Sequence, residues 1–189
     1  MTDVQRSRLY IRRAQPAEYP AIGALAVDAY AMLPGMPSPA EQPGYYAMLR
    51  DVAARAGKPS LRVYVAVGEA GELHGSVDFI GEMVDYGSGG TAGTVTDAAG
   101  IRLLAVAPAS RGRGAGKQLT LYCIERAREL GRRKVVLHST RAMQTAWAMY
   151  ERLGFDRSAE LDFRQGQLEV FGFALDIRPA SDGATGSLR

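Results

Sequence analysis

Apolar residues recur along the chain with two periods, near 2 and near 3.6, and each period predicts an element. Residues 9–12 read as a first strand. Pro16 and Glu18 then precede a helical run whose apolar positions, Ile22, Leu25, Ala26, Ala29 and Tyr30, fit one buried face. Pro34, Pro37, Pro39 and Pro43 predict a loop over 34–43. Helical spacing returns over 45–56 through Tyr45, Leu49, Val52 and Ala56, and Gly57 suits the C-terminal cap. Residues 61–67 are rich in β-formers, and a turn at 68–72 joins them to a partner strand over 73–80. Residues 81–100 carry Gly87, Gly89, Gly90 and Gly93 and read as a long flexible connection or an extended hairpin tip. A strand follows over 101–107. The next helix follows Gly114 with a stripe of Leu119, Cys123, Ala127 and Leu130, and Gly131 closes it. Then come a strand over 134–139, a helix over 142–153 closed by Gly154, and two alternating runs, 155–164 and 168–177, joined as a hairpin by Gln165-Gly166.

The order β-α-α-β-β-β-α-β-α-β-β predicts a mixed α/β protein of the α+β type, with a largely antiparallel central sheet flanked by helices. No repeat or linker divides it. At 189 residues the chain suits a single domain, placed at 9–177. Residues 1–8 read as a flexible N-terminus. Residues 178–189 have almost nothing apolar and read as a flexible tail.

Composition narrows the function classes. A net charge of +3 is mildly basic, and outside 111–117 and 132–134 the basic residues are dispersed, so nucleic acid is not demanded. The single cysteine, Cys123, rules out an internal disulfide and a cysteine-rich metal site; on the helix stripe it reads as a small buried hydrophobe. No apolar run is long enough to span a membrane, and the first residues lack the apolar region of a signal peptide, so the expected location is cytoplasmic. His74 follows a turn and is expected to be exposed. His138 lies in the strand over 134–139 and reads as a satisfied strand histidine. Their spacing suggests no metal.

The chemistry concentrates in residues 103–119, LLAVAPASRGRGAGKQL. A short apolar strand ends at Pro108, a glycine-rich basic turn follows, and then a helix begins. Strand, turn and helix aim unpaired N–H groups and the positive end of a helix at one spot, where an anion is held. The Walker A loop fails there, because Arg111 stands where its first glycine belongs and Gln118 where its Ser or Thr belongs. The dinucleotide fingerprint fails as well, because Lys117 or Leu119 takes the place of its third glycine. The pattern R-x-x-G-x-G fits Arg111, Gly114 and Gly116, with Arg113 and Lys117 adding charge.

The run L-L-A-V-x-P-x-x-R-G-R-G-x-G resembles the acetyl-CoA-binding motif of the GNAT superfamily of N-acetyltransferases. The resemblance spans roughly residues 9–177. It implies a sheet whose fourth and fifth strands, here 101–107 and 134–139, splay apart to admit CoA. It also implies that the pyrophosphate is held by the amides and charges of Arg111, Gly112, Arg113, Gly114, Ala115, Gly116 and Lys117. The pantetheine arm would lie along Leu104, Ala105 and Val106, with Ser139 a further hydrogen-bonding residue; capping of the next helix by Ser139 or Thr140 is the equal alternative.

A second segment, A-W-A-M-Y-E-R-L-G-F over 146–155, resembles the family's A-x-x-x-Y-E-K-x-G-F. The resemblance implies that Tyr150 is the general acid that protonates the departing thiolate. Two positions depart from the family. Many relatives carry a glutamate just before the fourth strand, at the position aligned with Gly100, and an asparagine at Met143. Asp97, Glu82 and Asp85 are the nearby carboxylates, and each reads as a solvated loop charge. The general base is therefore unassigned. The expected function is direct acetyl transfer from acetyl-CoA, used as co-substrate without a metal, to a primary amine of a small molecule or peptide. The alternative is a CoA-binding module with little or no catalysis. A homodimer is a possible assembly. A nucleic-acid or membrane partner is not expected, since no aromatic platform interleaves the basic turn. The resemblance implies an acceptor pocket built by the first two helices and the loops 34–43 and 81–100, where Tyr30, Met32, Met36, Tyr45, Tyr46 and Met83 suggest a partly apolar lining; core packing explains these residues equally well.

Overall fold

Strand β2 (Leu61–Val67) is buried on both faces, and its two sets of side chains define the layers. Tyr64 and Ala66 pack with Leu119 and Cys123 of the helix α4 (Ala115–Glu129). Val63 and Val65 pack on the other side with Ile22 of α1 (Tyr19–Ala31) and Val52 of α3 (Val52–Ala56). A central strand covered by helices on both faces needs apolar side chains on both, which explains the nearly continuous apolar run LRVYVAV. These positions come from a computed structural model that describes residues 8–177. The expectations for the first seven residues and for 178–189 lie outside the described residues.

The sheet runs β1 (Tyr10–Arg13), β2, β3 (Leu73–Ile80), β4 (Ala98–Val106), β5 (Lys134–Ser139), β8 (Leu168–Asp176) and β6 (Asp156–Arg157), while β7 (Phe163–Gln165) also pairs with β8. Every pairing is antiparallel except that of β4 with β5. α2 (Pro43–Arg50) extends the α1 face, and α5 (Gln144–Arg152) joins the α4 face through Tyr150. Among the described residues no helix is long and apolar enough to cross a membrane.

Three expectations need correction. The helix predicted over 45–56 is two helices, α2 and α3, broken at Asp51, whose carboxylate caps Ala54 at 3.0 Å. Arg55 supplies the reason for the break. It is buried, its Nη1 donates to the carbonyls of Met48 (2.6 Å) and Leu49 (2.9 Å), and its Nε donates to Asp78 (2.7 Å). The connection 81–100 is not a loose tip. It folds into two single-turn 3-10 segments that bury Met83, Tyr86 and Ala92, and β4 already begins at Ala98. The strand predicted over 155–164 is interrupted after Arg157. Residues 158–162 loop out so that Leu161 is buried, while Asp162 accepts the Gly172 amide (2.8 Å) in place of a strand partner.

Candidate active site

The site grows from one irregularity in β4. Ser76 pairs with Ala105 and Asp78 with Arg102, so two residues, Leu103 and Leu104, oppose the single residue Val77. This is a β-bulge, and Leu103 takes a left-handed conformation (φ 51°) to make it. The parallel pairing of β4 with β5 stops at Ile101 and Leu137, although β4 runs on to Val106 and β5 to Ser139. The two strands therefore splay, as expected. The Ala107 N–H reaches the His74 carbonyl (2.9 Å), so Ala105, two residues back, also addresses β3. The backbone polar groups of Leu104 and Val106 therefore turn away from β3, and the Leu104 carbonyl accepts the Tyr30 hydroxyl there (3.3 Å).

At the mouth of the gap stands the N-terminus of α4. The Arg111 and Arg113 amides close the preceding turn on the carbonyls of Pro108 and Ser110 (both 3.3 Å), and the Gln118 amide opens the helix ladder on Gly114. The first-turn amides of Ala115, Gly116 and Lys117 have no intrahelical acceptor. Gly114 is the N-cap in a left-handed conformation (φ 85°), which a residue with Cβ adopts only under strain. Arg111, Arg113 and Lys117 are exposed around these amides, which suits a diphosphate. His74, expected to be exposed, is buried instead. Its Nδ1 lies 2.7 Å from Ser110 Oγ, and Glu72 Oε1 lies 3.2 Å from its Nε2, so it anchors the base of this turn.

Two chambers meet at the bulge. The larger, of about 940 Å³, is lined by Ser110, Gly116 and Lys117, by Leu104 to Val106, and by Met149 and Tyr150. The smaller, of about 400 Å³, lies under α1 and α2 and is lined by Tyr45, Tyr86 and Phe163 among others. Both are lined by Tyr30, Ile101, Arg102, Leu103, His138 and Met143.

The sequence-selected residues divide between the chambers. Leu104, Ala105, Val106, Arg111, Gly112, Gly114, Ala115, Gly116, Lys117 and Tyr150 line the larger one. Ser139 lines the smaller, where its buried Oγ has no hydrogen-bond partner among the described residues. Tyr150 is buried against Phe155 and Phe173, and its hydroxyl takes no hydrogen-bond partner among the described residues. Burial pushes its phenol well above the ordinary value, so it stays protonated at neutral pH. Tyr30, Met36 and Tyr45 line the smaller chamber, whereas Met32 belongs to the larger. Tyr46 is buried with its hydroxyl on the Pro37 carbonyl (2.8 Å), and Met83 packs beneath Gly100.

Sequence reasoning missed Tyr86, Arg102 and Phe163, and gave His138 no part in the site. Arg102 donates to the carbonyls of Tyr86 (2.6 Å) and Gly87 (3.0 Å) and lies over the Tyr86 ring. Of the carboxylates considered, Glu82 and Asp97 are exposed and paired with Arg132 and Arg133, and Asp85 holds Ser60. Neither chamber has an aspartate or glutamate in its lining.

A model of the acetyltransferase (GNAT) family matches residues 26–155. The chain is 33% identical over 115 residues to the uncharacterized N-acetyltransferase YjgM of Escherichia coli (strain K12), across 59% of this chain and 68% of that protein. In structure it is similar to an acetyltransferase of the GNAT family from Staphylococcus aureus Mu50, with a TM-score of 0.69 at 12% identity over 90% of this chain and 100% of that one. It is also similar to yncA of Salmonella typhimurium, solved with its cofactor acetyl-CoA, with a TM-score of 0.61 at 18% identity over 95% and 99% of the two chains. At these identities the structural likenesses establish the fold.

Proposed function

The chain belongs to the acetyltransferase (GNAT) family, and from that premise we propose that it transfers the acetyl group of acetyl-CoA directly to a primary amine of a small molecule or peptide. One observation carries this reading. The larger chamber is lined both by first-turn helix amides and by a protonated tyrosine that have no partner among the described residues, and it shares bulge residues with a second chamber.

The residues present fit the donor. The amides of Gly114, Ala115, Gly116 and Lys117 hold its pyrophosphate, with Arg111, Arg113 and Lys117 countering the charge. The backbone of Leu104 and Val106, turned away from β3, takes the polar groups of its arm as an added strand would. Acetyl-CoA supplies the activated acetyl group. A backbone N–H on the Leu104–Val106 stretch stabilises negative charge developing on the carbonyl oxygen. Tyr150 holds the proton that the departing sulfur needs. The two chambers hold both reactants at the bulge, so orientation supplies much of the remaining acceleration and no covalent enzyme intermediate is required.

The absence of a carboxylate from both linings favours one competing reading, a CoA-binding module without turnover. Release of free thiol from acetyl-CoA separates the two. The test set is 2-phenylethylamine, L-lysine, glycinamide, spermidine and an alanyl dipeptide. Amine-dependent thiol release is expected with at least one of them. CoA binding with no amine-dependent release from any would sink the transferase reading.

Gly114→Val tests the donor site. The side chain forces the N-cap out of its left-handed conformation, a cost of about 1–2 kcal/mol that the loop relieves by moving the amides. The dissociation constant for CoA, read by titration calorimetry, is expected to rise about tenfold. An unchanged constant would mean that these amides do not hold the ligand.

A further inference from the structure

Resting on the transferase reading, we infer that Tyr86 and His138 form the relay that takes the proton from the acceptor amine. Of the six residues lining both chambers, His138 alone carries a side chain able to accept a proton near neutral pH. It sits where donor and acceptor must meet. Its two bonds define its state. The Leu161 carbonyl, 2.8 Å from Nε2, can only accept, so Nε2 carries the hydrogen. Nδ1 therefore has a free lone pair, and the Tyr86 hydroxyl donates to it at 2.9 Å.

Tyr86 occupies a telling place. A Cβ on Gly100 would lie 2.4 Å from Tyr86 Cδ2 and 2.6 Å from Cε2, so the ring fills the space that any side chain at 100 would need. The glycine is what admits the ring, and its hydroxyl lies between His138 Nδ1 and, at 3.5 Å, the Ile101 carbonyl, both of residues that line the two chambers. The charged groups around the imidazole are consistent with a neutral resting state. Burial lowers the His138 pKa first, the Leu161 carbonyl opposes it, Arg102 of β4 and Arg157 of β6 lower it further, and Asp162 raises it. Phe163 of β7 packs on the ring edge and contributes no charge.

The step balances as follows. The amine nitrogen bonds to the acetyl carbon and the carbon–sulfur bond breaks. The nitrogen's proton passes to the Tyr86 oxygen as the Tyr86 hydroxyl proton passes to His138 Nδ1, so no buried phenolate forms at Tyr86. The departing sulfur takes the Tyr150 proton. Between turnovers His138 releases its proton to water and Tyr150 regains one, which restores both side chains.

The test is the pH dependence of thiol release, with the amine of the five-member set that the unmodified protein uses fastest. Tyr86→Phe keeps the ring on Gly100 and removes the hydroxyl. His138→Asn keeps an acceptor for Tyr86 but cannot take up a proton. Each is expected to lower kcat thirty- to a hundredfold at pH 7, with the acetyl-CoA KM within twofold. The acid limb of the kcat profile, which reports a group titrating below the ordinary histidine value, should vanish in His138→Asn. The thermal midpoint of either variant shows whether it is folded, and a folded one is sufficient for the test. A kcat within threefold of the parent in a folded variant, or an acid limb that persists in His138→Asn, overturns the relay while leaving the transferase intact. No amine-dependent thiol release from the unmodified protein overturns the transferase reading and the relay with it.

Discussion

Tyr150→Phe is expected to lower kcat between a hundredfold and a thousandfold, with little change in the KM for acetyl-CoA. The ring packs against Phe155 and Phe173 whether or not it carries a hydroxyl, so the substitution leaves that packing in place. What goes is one proton donor that makes no hydrogen bond among the described residues. A group without a partner in the resting protein contributes little to ground-state structure, so its loss falls on the transition state, where the sulfur leaves as an anion. A hundredfold loss corresponds to about 2.7 kcal/mol of barrier, within the range of general acid help. Burial raises the phenol above its ordinary value, so the donor stays loaded through pH 6–9 and contributes no alkaline limb there. Steady-state kinetics at saturating amine reads the result. An unchanged kcat removes Tyr150 from the chemistry.

Asp78→Ala is expected to destabilise the fold by about 3–5 kcal/mol, because it strands the Arg55 guanidinium in the interior. Asp78 is 2% exposed and Arg55 7%, and they meet at 2.7 Å. Arg55 also satisfies the carbonyls of Met48 and Leu49, which end α2 and would otherwise lack partners. One side chain thus ties β3 to α2 and α3. A domain of this kind has about 5–15 kcal/mol in all, so the variant sits near the edge of folding. Urea midpoints give the comparison. The double variant Arg55→Met, Asp78→Leu should recover much of the loss, since an apolar pair of similar volume has no stranded charge. A loss under about 1 kcal/mol for Asp78→Ala would show that Arg55 finds another partner. The same contacts bear on function, because Tyr45 and Met48 of α2 line the smaller chamber.

The proposed donor site was legible because it is local. The strand, the glycine turn and the helix at 103–119 are consecutive, and their chemistry follows from residue types at fixed spacing. Tyr150 came from a second local segment. The smaller chamber is assembled from afar: Tyr86 meets His138 across 52 residues, and Phe163 packs on that imidazole from another edge of the sheet. No periodicity records such a meeting. The interrupted helix at Asp51 and the interrupted strand after Arg157 have the same origin. In each, a polar side chain from a neighbouring segment takes over backbone groups that a continuous element would have paired. His74 was misread for a related reason, since a turn-adjacent histidine becomes an interior one only once Ser110 arrives against it.

The extra residue at Leu103 reverses the parity of β4. Upstream of it Ala99 and Ile101 look toward α4, while downstream Leu104 and Val106 do. A single strand thereby turns its even-numbered positions to the α1 layer before the bulge and to the α4 layer after it. Deleting one residue there is not a local trim. It would exchange the inward and outward faces of half the strand, so a change of length at this point is far more damaging than a change of side chain.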